Sequence, residues 1–227
     1  KRISIRKYSM KFKTSVLVAL LPLSSSGIFA APTADVSVTG RILPANCNIA
    51  FADGGAVNYG DIRVADLKPD IPTSLPVKRM GWAISCSAPM AIAVSFIDNK
   101  ELDGAWESAD HTHFSIGKDS NNVPLGHLHM ALGPGTPVFV SGGDAGGGRP
   151  VGVIQSLDKQ AWGPAASGAA SKTYRLGFGT PGATEPGAYQ TYSSSFSLFT
   201  TIAPTQALDV STTLDLAASV TMEIEYL

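Results

Sequence analysis

Apolar and polar residues alternate in short bursts along the chain. Val36, Val38 and Ile42 alternate through VSVTGRI, Met80, Trp82, Ile84 and Cys86 through RMGWAISC, and Ile92, Val94 and Phe96 through AIAVSF. A period of two gives an extended chain one apolar and one polar face, so each segment is expected to be a strand. Further strand candidates are AVNYG (56–60), HFSIG (113–117), HLHMAL (127–132), PVFV (137–140), VGVIQ (151–155), TYRLGF (173–178), FSLFTTI (196–202) and ALDVSTTLDL (207–216). Gly, Pro, Ser and Asn punctuate the gaps. No long stretch combines helical periodicity with caps. Many short strands without intervening helices predict an all-β chain, a sandwich or a barrel.

The last ten residues, ASVTMEIEYL, continue the pattern. Val220, Met222, Ile224 and Tyr226 alternate with Thr221, Glu223 and Glu225. Polar, loose ends are the usual outcome unless something ties them down. A final strand with an apolar face is therefore expected to be held, in part by another protein. Two regions read as insertions between strands. Residues 133–150 carry GPGTP and SGGDAGGGRP around one apolar triplet, and residues 162–172 and 180–188 are rich in Gly, Ala, Ser and Pro. Strand patterns resume on both sides and no repeat is evident, so residues 31–227 are expected to form a single domain.

The beginning of the sequence changes the charge balance. From Met10, the stretch MKFKTSVLVALLPLSSSGIFA has a basic start (Lys11, Lys13), a short apolar run from Val16 to Leu23 and then small residues up to Ala30. This is the form of a secretory signal, too short to span a membrane well. The expectation is a start at Met10 and cleavage after Ala30, since Pro32 makes the next bond a poor site. Six of the 17 Lys and Arg precede residue 31 and all 18 Asp and Glu follow it, so 11 bases face 18 acids and the mature charge is −7. That argues against nucleic acid and anionic membrane surfaces as partners. No later segment offers about 18 continuous apolar residues, so the chain is not expected to span a membrane. In an exported protein the two cysteines, Cys47 and Cys86, read as a disulfide. Closing that loop would stabilise the fold by about 4 kcal/mol.

The ordered motifs resemble a known family. VSVTGRILPANCNIAFADGGAVNYGDIRVADLKP joins a valine-rich strand, a glycine, an apolar residue, a proline and a cysteine, followed by a G-G-x-V-x-Y-G turn and strand. AISCSAPMAIAVSFIDNK supplies a second cysteine strand and a D-N turn, FSIG…PLGHLHMAL a central hairpin, TTIAP a late strand and VTMEIEYL the ending. Together they resemble the GltF-like group of exported bacterial fimbrial-type proteins, a domain of unknown function related to chaperone–usher pilins. The resemblance spans about residues 36–227, and the Gly-rich stretch at 133–170 matches little. It implies an immunoglobulin-like, pilin-like β-sandwich that lacks one strand, leaving a hydrophobic groove flanked by unpaired edges. An open edge of this kind templates aggregation, and strand addition from a partner covers it. The implied partners are a periplasmic pilus chaperone, an usher and other fimbrial subunits. The implied location is the periplasm or a cell-surface fimbrium, with no cofactor. In such proteins the last strand lines the groove, a penultimate Tyr belongs to the motif and the terminal carboxylate is held by the chaperone. Here that implies Val220, Met222, Ile224 and Tyr226 as the partner-binding face and Leu227 as the carboxylate. Two departures stand out. The glycine usual fourteen residues from the end is Leu214, and before Gly40 only Val36 and Val38 could donate a strand. A subunit that receives a strand but donates poorly is implied, or a self-complete periplasmic relative.

Candidate chemistry is sparse. All four histidines lie in His111-Thr112-His113 and His127-Leu128-His129. Spacing of two puts each pair on one strand face. If residue 113 lies opposite 129, the imidazoles share the outer face and Phe114, Ile116, Leu128 and Met130 point inward. Clustered imidazoles suit zinc, copper or nickel, although an ordinary polar outer face has the same sequence. Below about pH 6.5 they would repel one another. Trp82 reads as core, whereas Trp106 and Trp162, in loop-like sequence, are candidates for stacking on a glycan. A soluble periplasmic binding module for metal or glycan is thus the alternative to a fimbrial subunit. No G-x-S-x-G elbow, HExxH, P-loop or Rossmann glycine pattern occurs, so no enzyme is expected. SGGDAGGG does not recur as a calcium-binding repeat would.

Overall fold

A computed structural model describes residues 36–41, 46–100, 110–132, 136–165 and 167–227. The expected signal segment and Trp106 lie outside these residues. Contacts divide the chain into Lys1–Ile42 and Leu43–Leu227. All described strands belong to the second part: β1 (Cys47–Phe51), β2 (Thr73–Ser74), β3 (Lys78–Asp98), β4 (His113–Ser115), β5 (Gly126–Leu132), β6 (Val138–Ser141), β7 (Arg149–Ser156), β8 (Gly163–Pro164), β9 (Arg175–Gly179), β10 (Ala188–Ile202) and β11 (Val220–Tyr226). The chain is all-β, and the strand pairings are antiparallel.

Strand β3 organises the fold. RMGWAISC and AIAVSF, two strands by pattern, are one strand of 21 residues. Its even positions are buried at Trp82, Ile84 and Cys86 and again at Ile92, Val94 and Phe96, with Ala88 and Met90 half-buried between them. One edge of β3 carries β10 along its first part and β9 at Ala93 and Val94; the other edge carries β1 and then β11. The change of neighbour follows a large bulge. Tyr189 faces Met90 and Thr191 faces Ser85, so residues 86–89 of β3 stand against residue 190 alone. Pro89 lies in that bulge, where its missing N–H interrupts no ladder. Tyr192, fully buried, donates its hydroxyl to the Met90 carbonyl there. On the other side of β10 lie β5 and β6, whereas β2 meets Thr201 and Ile202 on the edge that carries β3; β4 pairs with β5, β6 continues into β7, and β7 pairs with β8 and β9. Between these ladders Trp82 packs against Phe178 and Phe196, with Phe96 edge-on to Phe196. The core placement of Trp82 is as its strand pattern predicts.

Cys47 and Cys86 form the expected disulfide, facing each other in register across β1 and β3. Gly126 opens β5 at a positive φ of 143°, where a Cβ would collide with the Thr201 carbonyl of β10. Strand expectations fail in three places. Residues 36–41 carry no strand, and Val36 and Val38 are about nine-tenths exposed. Residues 56–60 and 207–216 form no ladder either. In the first, Val57 and Tyr59 are turned inward between exposed neighbours; in the second, Leu208, Val210 and Leu214 face the core while Leu216 is exposed. Periodicity reports which face is buried and is blind to whether a neighbouring strand is present to pair. The pattern also misses β1 and the first eight residues of β10, because Gln190, Thr191 and the serines at 193–195 dilute the contrast.

Candidate functional site

The last strand is half paired. β11 runs beside β3 with Val220 opposite Asp98 and Tyr226 opposite Ile92, and β3 is its one described neighbour. The N–H of Leu227 donates to the Ala91 carbonyl (3.2 Å) and the N–H of Asn99 to the Ser219 carbonyl (2.9 Å). In an antiparallel ladder, bonded pairs recur every second residue. The odd residues from 219 to 227 thus bond to β3, and the N–H and C=O groups of Val220, Met222, Ile224 and Tyr226 point along the opposite edge.

The side chains of the same strand meet an apolar trough. Met222 is buried, and Val220 and Ile224 pack against the core. Val220 and Met222 help line a cavity of about 310 Å³, together with Phe51, Met80, Phe96 and Met130. A second cavity, of about 680 Å³, lies between residues 57–67 and 208–216, with Leu125 and Ile202 also in its lining. Val57, Tyr59 and Leu216 line both cavities, so the two are neighbouring chambers. Tyr59 stands at the junction, its hydroxyl 3.0 Å from Thr200 Oγ1. The two unladdered stretches with strand-like alternation, 57–60 and 208–216, are thus the rim of the second chamber. Asp119 anchors that rim. Buried, it accepts the N–H groups of Asp209, Asn121 and Val123 at 2.8–2.9 Å, and the Asp209 bond above all holds its carboxyl below the ordinary range.

Tyr226 serves a different purpose from the rest of its face. Its ring is about half exposed (48%), and its hydroxyl accepts the N–H of Cys47 at 3.0 Å. The end of β11 is thereby tied to the disulfide-bearing start of β1. On the opposite face Glu225 pairs with Lys159 (3.1 Å) and Arg175 (3.1 Å). Burial opposes its ionisation, but bonds from Lys159 and Ser95 and the charges of Arg175 and Lys159 outweigh that and hold the carboxyl below its usual value. Leu227 is about half exposed.

The histidines pair in the anticipated register. His113 lies opposite His129, and Phe114, Ile116, Leu128 and Met130 are buried beneath them. His113 stacks on His127 (centroids 3.8 Å apart, planes 8° apart) and meets His129 edge-on at 5.8 Å. His111 stands apart, in the turn before β4, against Tyr174. Stacked rings do not converge on one point, and among the described residues no group of three or more His, Cys, Asp or Glu is placed to hold a metal ion. Trp162 donates its indole N–H to the Lys159 carbonyl, and its ring lies so close to Gly177 that a Cβ there would clash. Sequence reasoning placed the face of β11 but missed the chambers, whose walls come from stretches with no ladder of their own. Among the described residues, no helix is long and apolar enough to cross a membrane.

None of the curated proteins is similar enough to this chain to count as a match. Residues 36–136, which reach from before β1 to just past β5, are similar to a family described as "Protein of unknown function (DUF1120)".

Proposed function

We propose that this chain is a non-enzymatic, pilin-like subunit that accepts a β-strand from a partner along the free edge of β11. One observation carries the reading: Val220, Met222 and Ile224 offer their main-chain groups to an open edge while their side chains face the apolar interior beside the trough. An added strand would bond to that edge and press alternate side chains into the chambers, the mode by which strand addition gains both affinity and specificity. The unladdered alternation at 57–60 and 208–216 supports an immunoglobulin-like sandwich short of one strand. The resemblance to GltF-like fimbrial proteins and the signal-like segment ending at Ala30 support export to the periplasm, with a chaperone or neighbouring subunit as donor. The family description is silent on function, so this reading rests on the residues.

The test is to produce the exported chain alone and fused to a flexible linker and an extended segment of alternating valine and threonine. The fusion is expected to suppress aggregation, raise Tm by about 5–10 °C, equivalent to a few kcal/mol in a domain of this size, and slow amide exchange at Val220, Met222 and Ile224. A lone chain that is monomeric, unfolds cooperatively and gains nothing from the fusion would sink the proposal.

A further inference from the structure

We propose that the stacked histidines on the outer face of the β4–β5 edge are an acid-sensitive latch on one wall of the trough: neutral, they hold β4 in place, and charged, they release it. The inference builds on the strand-acceptor reading, whose docking site the latch would regulate.

Strand β4 is three residues long and, among the described residues, β5 is its one ladder neighbour; the Ser115 N–H also donates to the buried Asp98 carboxylate of β3 (2.7 Å), so besides that bond its side chains retain it. Its two faces have different duties. Outward, His113 stacks on His127 and abuts His129. Inward, Phe114 and the following Ile116 are buried, and Ile116 lines the first chamber beside β11. The Ile116 carbonyl also accepts the N–H of Ala217 (2.9 Å), in the stretch that leads into β11. Displacing β4 outward would therefore move a wall of the chamber and loosen the approach to the docking edge.

The cluster is built for neutral rings. All three imidazoles are half-buried, and the Nδ1 atoms of His127 and His129 are buried without a hydrogen-bond partner among the described residues. Protonation would place like charges within a ring-stacking distance, in surroundings that screen them poorly. The nearby compensating charge is Asp110, 3.9 Å from His113 Nε2 and 3.8 Å from His111 Nδ1. Lys172 adds repulsion at His113. From β10, the residues opposite His129 and His127 are Phe199 and Thr201, neither of which titrates near neutral pH. Burial first, then His113 and His129, push His127 down to about 4 against the pull of Asp110. Burial also lowers His113, again against Asp110. A base depressed in the closed state takes up a proton more readily once released. The closed edge is therefore fully favoured above pH 6.5 and loses ground as pH falls from there toward 4.

Amide exchange of β4 and β5, corrected for intrinsic rates, tests this in the full chain. Between pH 7.5 and pH 5 the opening constant is expected to rise about tenfold, after allowance for the half-exposed position of the rings. The His113→Asn, His127→Gln variant should show no such rise. The imidazole C–H resonances of wild type give a second reading that needs no variant, with His127 titrating well below 6.5. Ordinary titration of His113 and His127, or equal exchange in wild type and variant at both pH values, would overturn the latch. Binding of a free alternating valine–threonine peptide is measured alongside and should weaken at pH 5. A peptide that fails to bind at pH 7.5, with the edge still opening in acid, would sink the acceptor reading and leave the latch standing.

Discussion

Tyr226 and Glu225 are adjacent in sequence and act on opposite faces of β11. The tyrosine hydroxyl closes the first N–H of β1, a group that would otherwise face solvent beside the disulfide. Tyr226→Phe keeps the ring and loses that bond, so urea unfolding should show a loss of about 1 kcal/mol with an unchanged slope. Glu225 bridges β11 to Lys159 and to Arg175 of β9 across the width of β3. Its carboxyl is held below the ordinary range, so its contribution is present above about pH 4.5 and disappears as pH falls through the lowered value. Glu225→Gln should therefore cost about 1 kcal/mol at pH 7 and nothing near pH 2, a convergence that stability measured against pH would show directly.

Among the elements, β3 bears the largest share of the pairing, with β1, β9, β10 and β11 all against it. The disulfide secures β1 to this strand across a separation of 39 residues. Without it, β1 would depend on a five-residue ladder and the Tyr226 hydroxyl. Reduction should lower stability by about 4 kcal/mol on the loop-entropy view and should loosen β1 before β10, as exchange at Ile49 and Phe51 compared with Leu198 would reveal. This β1 was not read as a strand because, although Cys47, Ile49 and Phe51 alternate with Asn48 and Ala50, the run is only five residues long. It was recoverable only from the pairing of its cysteine. By contrast, β4 and β5 were legible as a hairpin with its greasy face inward, but a slip of two residues keeps the same face buried, so the structure decided that His113 lies opposite His129.

For the molecule as a whole, the apolar trough and the free edge are products of what lies beside what. The segments 56–60 and 207–216 read as strands because their sequences alternate, yet in the fold they stand at a cavity rim without ladders. A one-dimensional pattern records burial, and burial can be against a space as well as against a strand. The bulge that lets β3 trade β10 for β9 depends likewise on the widely separated residues 85–90 and 189–191 meeting. The sequence by itself determined that the chain is all-β, that Cys47 and Cys86 pair and which face of residues 220–226 turns inward, because side-chain alternation and a single pair of cysteines are local or compositional facts. Only the tertiary structure decided that β11 is paired along one edge, that Tyr226 reaches the start of β1 and that three of the four imidazoles touch, because each depends on the relative placement of strands that no local periodicity encodes.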